Sequence, residues 1–191
     1  MLNIESNKTA LLVMDLQTEI VPMLGDKSAP LIERMAGLVA AARRAKLPII
    51  YIAVGFRTGY PELNLRNAMF AGVAKTGRFQ TLTPEIVAAL APQAEDVLVV
   101  KHRVGAFSGT DLDLILRAKG IDTLLLAGVS TSGVVLSTVR HGADADYRLV
   151  VVKDCCADGD DEVHRVLTEK VFVRQATVVD ANEVIEALPA L

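Results

Sequence analysis

The chain reads TDLDLILRAKGIDTLLLAG from residue 110 to residue 128. The first part is amphipathic, begins at Thr110, which is a good helix cap, and closes at Gly120, so it predicts a helix over 110–120. The second part, TLLLAG (123–128), is almost continuously apolar, which is typical of a strand buried on both faces of a parallel sheet. A helix that leads directly into such a strand indicates an α/β fold.

The same alternation continues along the rest of the chain. Amphipathic segments at 29–46 and 161–172 predict two more helices. Five further apolar runs predict strands: TALLVM (9–14), PIIYIAV (48–54), DVLVVK (96–101), RLVVVKD (148–154) and ATVVD (176–180). We therefore predict a single domain over residues 1–191, built as a doubly wound parallel sheet of about six strands flanked by helices in three layers.

Charge and hydropathy narrow the range of partners. The net charge is −3 and both signs are mixed along the chain, which gives no indication of a nucleic-acid or membrane-surface partner. The first residues lack the basic-then-apolar order of a signal peptide, and no apolar run reaches the roughly 18 residues of a membrane helix. These features predict a cytoplasmic protein that binds neither nucleic acid nor membrane.

Cysteines and histidines are few and badly spaced for a disulfide or a metal site. The only two cysteines, Cys155 and Cys156, are adjacent, and neighbours rarely form an unstrained disulfide. The three histidines, His102, His141 and His164, show no zinc-ligand spacing with each other or with the cysteines. The sequence therefore predicts no structural metal and no cofactor.

One segment interrupts the alternation of strands and helices. Residues 55–82, GFRTGYPELNLRNAMFAGVAKTGRFQTL, mix glycine, arginine and aromatic residues over a length too great for a plain connection. We call this segment the insertion. It is predicted to be a lid, a binding loop or a contact between subunits.

Reactive side chains stand where the predicted strands end, and in an open parallel sheet ligands bind at that edge. Asp15 ends the first strand, Lys101 the third and Asp154 the fifth. Taken singly, Asp15 is interpreted as a cap for the turn that follows it, and Lys101 is interpreted as a solvated residue at a strand end. Taken together, an ammonium beside a buried carboxylate would form a pair suited to proton transfer. The residues alone leave both interpretations open.

The fourth strand runs into the turn GVSTSGVV (128–135), which has no cysteine. Backbone N–H groups around Gly133 and Val134 could bind a developing oxyanion. Ser130, Thr131 and Ser132 could act as caps or as polar contacts. A serine nucleophile is not favoured, because the turn lacks the G-x-S-x-G pattern of a nucleophile elbow.

Three motifs in order carry a resemblance to a known family. They are ALLVMDLQTEIV (10–21), KHRVGAFSGTDL (101–112) and the turn GVST (128–131). With these motifs the chain resembles the isochorismatase-like, or cysteine hydrolase, superfamily over essentially its full length. In that family an aspartate, a lysine and a cysteine form the catalytic triad. The resemblance makes Asp15 the general acid or base and Lys101 its electrostatic partner.

The family's cysteine lies six residues after the glycine of the turn, and counted from Gly128 that position is Val134. The chain therefore resembles a variant that lacks the usual nucleophile. The resemblance also implies an oxyanion turn and a set of substrate contacts. The turn is formed by Val129, Ser130, Gly133 and Val134, with a cis peptide between the first two, and the contacts are Gln17, Phe107 and Thr131. Cys155 and Cys156 are expected to have a packing role.

Two classes of function fit this variant. The first is a small-molecule hydrolase with a thiol-free, Asp-dependent mechanism. Isochorismatases proper, which also lack a cysteine at this position, cleave a vinyl ether and release pyruvate, with the aspartate as proton donor. Water activated by Asp15 could instead cleave a C–N bond. The alternative class is a catalytically inactive relative that binds a small ligand in the retained pocket.

The resemblance has consequences for ligands and assembly. The metal-binding amidase branch uses Asp and His ligands after strand two, and AVGFRTGYPELN (53–64) has no His, so no catalytic metal is expected. Relatives form dimers or tetramers, which implies a homodimer or homotetramer with the insertion as a candidate contact. Four arginines could hold substrate carboxylates, and the sequence does not choose among them: Arg57, Arg66, Arg78 and Arg103.

Overall fold

Six parallel strands form one sheet in the computed structural model, which describes residues 2–189. They are β1 (Thr9–Met14), β2 (Ile49–Val54), β3 (Val97–Lys101), β4 (Thr123–Val129), β5 (Arg148–Ala157) and β6 (Thr177–Val179). Their order across the sheet is β3-β2-β1-β4-β5-β6, so the winding direction reverses between β1 and β4. The predicted doubly wound sheet of six strands is confirmed.

Helices cover both faces of the sheet. They are α1 (Ser28–Arg44), α2 (Ala68–Thr76), α3 (Leu112–Ala118), α4 (Leu136–Asp144), α5 (Asp161–Val166) and α6 (Ala181–Ala187), with short 3-10 helices at Val21–Lys27 and Ala88–Leu90. Across residues 2–189, none of the helices has the length and apolar character needed to cross a membrane.

Strand β1 packs against both helical layers. Leu11 and Val13 point into an apolar cluster shared with α1 and α6, whereas Leu12 and Met14 point into a second cluster shared with α3 and α4. Burial of each such side chain stabilises the fold by roughly 1.5–3 kcal/mol. The strand is therefore apolar on both faces, and the first charged group after it lies at the carboxyl edge of the sheet.

The fifth strand is longer than predicted. It continues past Asp154 to Ala157, because after an irregularity in the β4–β5 pairing Cys156 pairs with Gly128 and Ala157 with Val129. The placement of Asp154 at the strand end is therefore wrong. This residue lies within β5, and its Oδ1 accepts a hydrogen bond of 2.8 Å from the backbone of Ala181 at the start of α6. The residue that follows the strand is Asp158.

The helices match the predictions in position more closely than in length. The predicted 29–46 helix is α1, and the 110–120 helix begins only at Leu112, with the Thr110 hydroxyl accepting from the Leu112 N–H at 3.4 Å. The predicted 161–172 helix is α5, continued by a π-helical turn at Leu167–Val171 and a 3-10 turn at Phe172–Arg174. The bounds of α2, α4 and α6 were not predicted.

The insertion is an ordered lobe with its own apolar cluster. Phe56, Phe70 and Val54 are buried together, and the Phe56 ring makes edge contacts with Tyr60 and Phe70 at centroid distances of 5.7 and 5.9 Å. Within the lobe, α2 is capped by Asn67, whose side chain accepts from the Phe70 N–H at 3.3 Å. The lobe thus packs against the end of β2 at the carboxyl edge of the sheet.

Candidate active site

Asp15 is the residue directly after β1, at the carboxyl edge. Its φ of 57° is left-handed, which turns the chain away from the sheet, and its N–H still donates to the carbonyl of Ile52 at 2.8 Å. The residue is only 7% exposed. A charged carboxylate in such a position requires a partner that offsets its lost hydration.

Lys101, the last residue of β3, provides that partner. Its Nζ lies 2.9 Å from Asp15 Oδ2 and also donates to the carbonyl of Arg103 at 3.1 Å. The lysine is 3% exposed, and Asp15 Oδ1 is buried with no hydrogen-bond partner among residues 2–189. Burial raises the pKa of Asp15 above its usual range, and the nearby Lys101 ammonium opposes this shift without cancelling it. The raised pKa favours a protonated carboxyl that can donate a proton.

The turn after β4 forms the opposite wall. The Val129–Ser130 peptide is cis, as the resemblance predicts, and a π-helical turn at Thr131–Val135 leads into α4. At Gly128 φ is 144°, and a Cβ atom there would lie 2.1 Å from the carbonyl oxygen of Met14. Only glycine therefore permits β4 to pass so close to the end of β1.

The hydrogen bonds of the turn differ from the expected pattern. The Gly133 N–H, predicted as an oxyanion donor, donates to the carbonyl of Ser130 at 3.1 Å. Ser130 stands at the helix cap but makes no side-chain capping bond. The cap comes from another segment, because the Ser132 N–H donates to Oδ2 of Asp158 at 2.7 Å.

A cavity of about 450 Å³ brings most of the predicted site residues together. Asp15 and Lys101 line it, and so do four residues of the turn: Val129, Ser130, Gly133 and Val134. The remaining walls are largely apolar: Ile20, Met23, Leu24, Val54, Met69, Phe70, Val73, Phe79 and Val104. Val134 is 2% exposed and presents an isopropyl group at the position where the resemblance places a thiol.

The three predicted substrate contacts do not line this cavity. The Gln17 amide is used on the backbone of Val54, donating to its carbonyl at 3.0 Å and accepting from its N–H at 2.7 Å. Phe107 is buried and stacks on His141 with ring centroids 4.5 Å apart. The Thr131 hydroxyl is hydrogen-bonded to His164 Nδ1 at 2.8 Å. In this structure the three side chains are occupied by contacts outside the cavity lining.

Two of the four candidate arginines line the cavity, Arg78 and Arg103. The Arg103 guanidinium donates to the carbonyls of His102 at 2.5 Å and Glu62 at 3.1 Å, and that of Arg78 donates to the carbonyl of Glu19. Within the described part of the chain, neither forms an ion pair with a carboxylate. By contrast, Arg57 is paired with Glu62 at 2.5 Å, and Arg66 is exposed beside Asn64.

Neither cysteine lines the cavity. Cys155 lies in the cluster shared with α1, and Cys156 in the cluster on the other face of the sheet. Burial raises the pKa of both thiols, that of Cys156 to about 12, so both are protonated at neutral pH. Over residues 2–189, no group of three or more His, Cys, Asp or Glu side chains could hold a metal ion.

Two residues near the turn were not predicted as part of the site. Asp158 and His164 follow β5 and bind Ser132 and Thr131, two residues of the turn that do not line the cavity. The sequence offers one signal for Asp158, which begins the glycine-containing acidic stretch DGDD (158–161) directly after an apolar strand. Nothing local marks His164, because its contact depends on how α5 packs against the turn.

Comparison with known proteins agrees with this architecture. The sequence model of the isochorismatase domain matches residues 9–183. The chain is 34% identical to the uncharacterized isochorismatase family protein YecD of Escherichia coli O157:H7, over 98% of this chain and 100% of YecD. It is 30% identical to the ureidoacrylate amidohydrolase RutB of Acinetobacter baylyi, over 83% of this chain and 74% of RutB. The crystal structure of a cysteine hydrolase from Pseudomonas syringae superposes with a TM-score of 0.87 at 25% identity, covering 98% and 95% of the two chains.

Proposed function

Since the chain belongs to the isochorismatase family of hydrolases, we propose that it hydrolyses a small molecule with Asp15 as the proton-transfer group and without a thiol. The observation that carries this proposal is the Asp15–Lys101 pair, buried in the wall of a cavity whose nucleophile position is Val134. The two cysteine thiols are buried elsewhere, which supports a mechanism that forms no thioester.

The first candidate reaction is cleavage of a vinyl ether. Protonated Asp15 donates its proton to the terminal vinyl carbon, and an oxocarbenium ion forms at the carbon that bears the ether oxygen. Water adds to that carbon and releases a proton to the Asp15 carboxylate, and the hemiketal then breaks into an alcohol and a ketone. Lys101 stabilises the carboxylate while it is ionised. The raised pKa of Asp15 supports the donor role.

Hydrolysis of a C–N bond is the second candidate, and the similarity to RutB favours it. Here ionised Asp15 takes a proton from water, which attacks the carbonyl carbon, and the same proton then passes to the leaving nitrogen. Because Val134 cannot form an acyl-enzyme, water makes the single attack in this route. Both candidates use the same pair of residues and differ in the initial protonation state of Asp15.

Two cations support a substrate that carries a carboxylate. Replacing Arg78 or Arg103 with glutamine is expected to raise KM by about 10–100-fold with little change in kcat, because a hydrogen bond between charged groups contributes roughly 1.5–3 kcal/mol. Arg66→Gln is the matched control, since Arg66 is exposed outside the cavity lining. Steady-state kinetics on the hydrolysed substrate measures the effect. Unchanged KM values in both cavity variants would reject this assignment.

The proposal is tested with a panel of isochorismate, simple amides and ureido acids, on which the wild type and Val134→Cys are compared by pyruvate and ammonia release. Wild-type protein is expected to hydrolyse at least one member, and the new thiol is expected to add no amide or ureide hydrolysis. Val135→Cys is the control, because Val135 is buried outside the cavity lining. A gain confined to Val134→Cys would identify a decayed cysteine hydrolase instead. No turnover by the wild type would favour a ligand-binding protein.

We further propose an oligomeric state and a cellular location for the protein. A homodimer or homotetramer is supported by Leu65, Met69 and Leu82, three large apolar side chains that the insertion exposes. A cytoplasmic location is supported by the two free thiols, since reducing compartments preserve unpaired cysteines.

A further inference from the structure

The turn between β4 and α4 has two sides with different contacts. Ser130, Gly133 and Val134 line the cavity opposite the Asp15–Lys101 pair. Thr131 is fully buried on the other side, and the backbone N–H of Ser132 also points away from the cavity lining, to Asp158. The position of the cavity wall therefore depends on what holds the far side of the turn.

Asp158 holds the backbone of the turn. It follows β5 directly and is 9% exposed, and its Oδ2 accepts from the Ser132 N–H at 2.7 Å. Its Oδ1 accepts from the Asp160 N–H at 3.4 Å, which fixes the carboxylate within its own loop. A carboxylate at the first turn of a helix is also favoured by the helix dipole. The adjacent Gly159 lines the cavity, so the loop spans both sides of the turn.

His164 holds a side chain of the same turn. Its Nδ1 lies 2.8 Å from the Thr131 hydroxyl, and α5 fixes the histidine backbone, whose N–H donates to the carbonyl of Asp160 at 3.1 Å. Burial lowers the pKa of His164, against the opposing effect of Asp158 and Asp161, while Lys27 lowers it further. The neutral imidazole favoured by this environment can accept the Thr131 proton.

We propose that Asp158 and His164 are positioning residues, which together hold the turn so that Ser130 and Val134 keep a fixed placement relative to Asp15. The turn has no capping bond from Ser130, so these two contacts supply the side-chain support from a neighbouring segment. The catalytic consequence rests on the proposed function. In a thiol-free site the wall must orient substrate and water, and a displacement of about 1 Å can lower the rate by roughly 10²-fold.

The test pairs each disruptive substitution with a conservative one. Asp158→Ala and Thr131→Val remove the two contacts, whereas Asp158→Asn and Thr131→Ser keep an oxygen acceptor and a hydroxyl. His164→Leu and His164→Asn form the third pair. The control is Thr123→Val, which removes a buried threonine hydroxyl at the amino end of β4, far along the strand from the turn. Kinetics are measured together with hydrogen exchange of the backbone amides of residues 130–135.

The disruptive variants are expected to lower kcat by about 10²-fold with a smaller change in KM, and to speed hydrogen exchange in the turn. The conservative variants are expected to restore most of both properties. Unchanged exchange in the turn, or an equal loss of kcat in Thr123→Val, would overturn the proposal. Exchange needs no turnover, so a wild type without hydrolytic activity would reject the proposed function while the exchange data still decided the positioning role.

Discussion

Asp15→Asn is expected to lower kcat/KM by about 10²–10⁴-fold on whichever substrate the wild type hydrolyses, the range that general acid–base groups contribute. The asparagine keeps the size of the side chain but can neither donate nor accept the proton in either candidate reaction. Asp15 lines the cavity, and its Oδ1 has no hydrogen-bond partner among the described residues, so the substitution removes a carboxyl oxygen that no other contact occupies. The loss of kcat/KM is measured by product release from the substrate of the panel that the wild type hydrolyses.

The matched control for this variant is Asp144→Asn, which makes the same change at an exposed residue at the end of α4. It is expected to keep wild-type kinetics. Asp15→Asn leaves Lys101 buried beside a neutral group, so thermal unfolding must accompany the kinetics. A folded Asp15→Asn protein with more than about a tenth of wild-type activity would be incompatible with a proton-transfer role.

Lys101→Met is expected to have the second large effect, on pH dependence as well as on rate. Lys101 lowers a pKa that burial raises, so its removal leaves the Asp15 pKa higher still. If Asp15 acts as the acid, kcat/KM falls as pH rises through that pKa, and the falling limb is expected to move to higher pH. The rate itself is expected to drop by about 10²–10³-fold, because the carboxylate formed during reaction loses its stabilising charge.

Stability of Lys101→Met should depend on pH in a defined direction. The pKa of Asp15 in the folded state lies above its unfolded value of about 4, so its contribution to stability is complete below that value and is lost as pH rises through the folded pKa. The variant has the higher folded pKa and is expected to be close to wild type near pH 4. It should become less stable than wild type as pH rises through the wild-type pKa, by up to about 3–5 kcal/mol, because the ionised carboxylate no longer has a partner.

Urea unfolding of both proteins at about pH 5 and about pH 8 measures this difference. Lys153→Met is the control, because Lys153 is half exposed and forms a 3.3 Å ion pair with Asp180 on the surface. It is expected to change little with pH, since surface pairs contribute little to stability. A Lys101→Met deficit that is the same at both pH values would show that Asp15 is not coupled to the lysine as proposed.

The sequence predicted that Asp15 and Lys101 lie together, and it predicted position 134 as the place of the family's nucleophile, because each prediction rests on a simple rule. Asp15 and Lys101 follow apolar strands, and the carboxyl ends of parallel strands share one edge. Val134 was found by counting along a recognisable turn. Gln17, Phe107 and Thr131 lie in the same motifs, but the direction of a side chain depends on packing that spacing does not encode. Their side-chain partners are Val54, His141 and His164, which all lie far away along the chain, and no local pattern shows such contacts.

Errors in the predicted elements have a similar origin. The charge of Asp154 interrupts an apolar run and so predicts a strand end, whereas β5 continues through the buried cysteines to Ala157. Because of that error, the sequence did not indicate Asp158 as the residue that follows the strand and accepts a hydrogen bond from the turn. Likewise, the sequence did not show which of the four arginines lies near the site. Arg78 and Arg103 line the cavity because of the way the chain around them packs at the sheet edge.

The close passage of β4 at Gly128 sets the dimensions of the site at the level of the main chain. Asp15 comes directly after Met14, whose carbonyl oxygen occupies the space of the missing Cβ, and the turn begins two residues after the glycine. The main-chain spacing between Asp15 and the opposite wall is thus set by a contact that does not involve the side chain at position 134. The scaffold is therefore suitable for engineering, because the side chain at position 134 can be exchanged while the backbone around it keeps its shape.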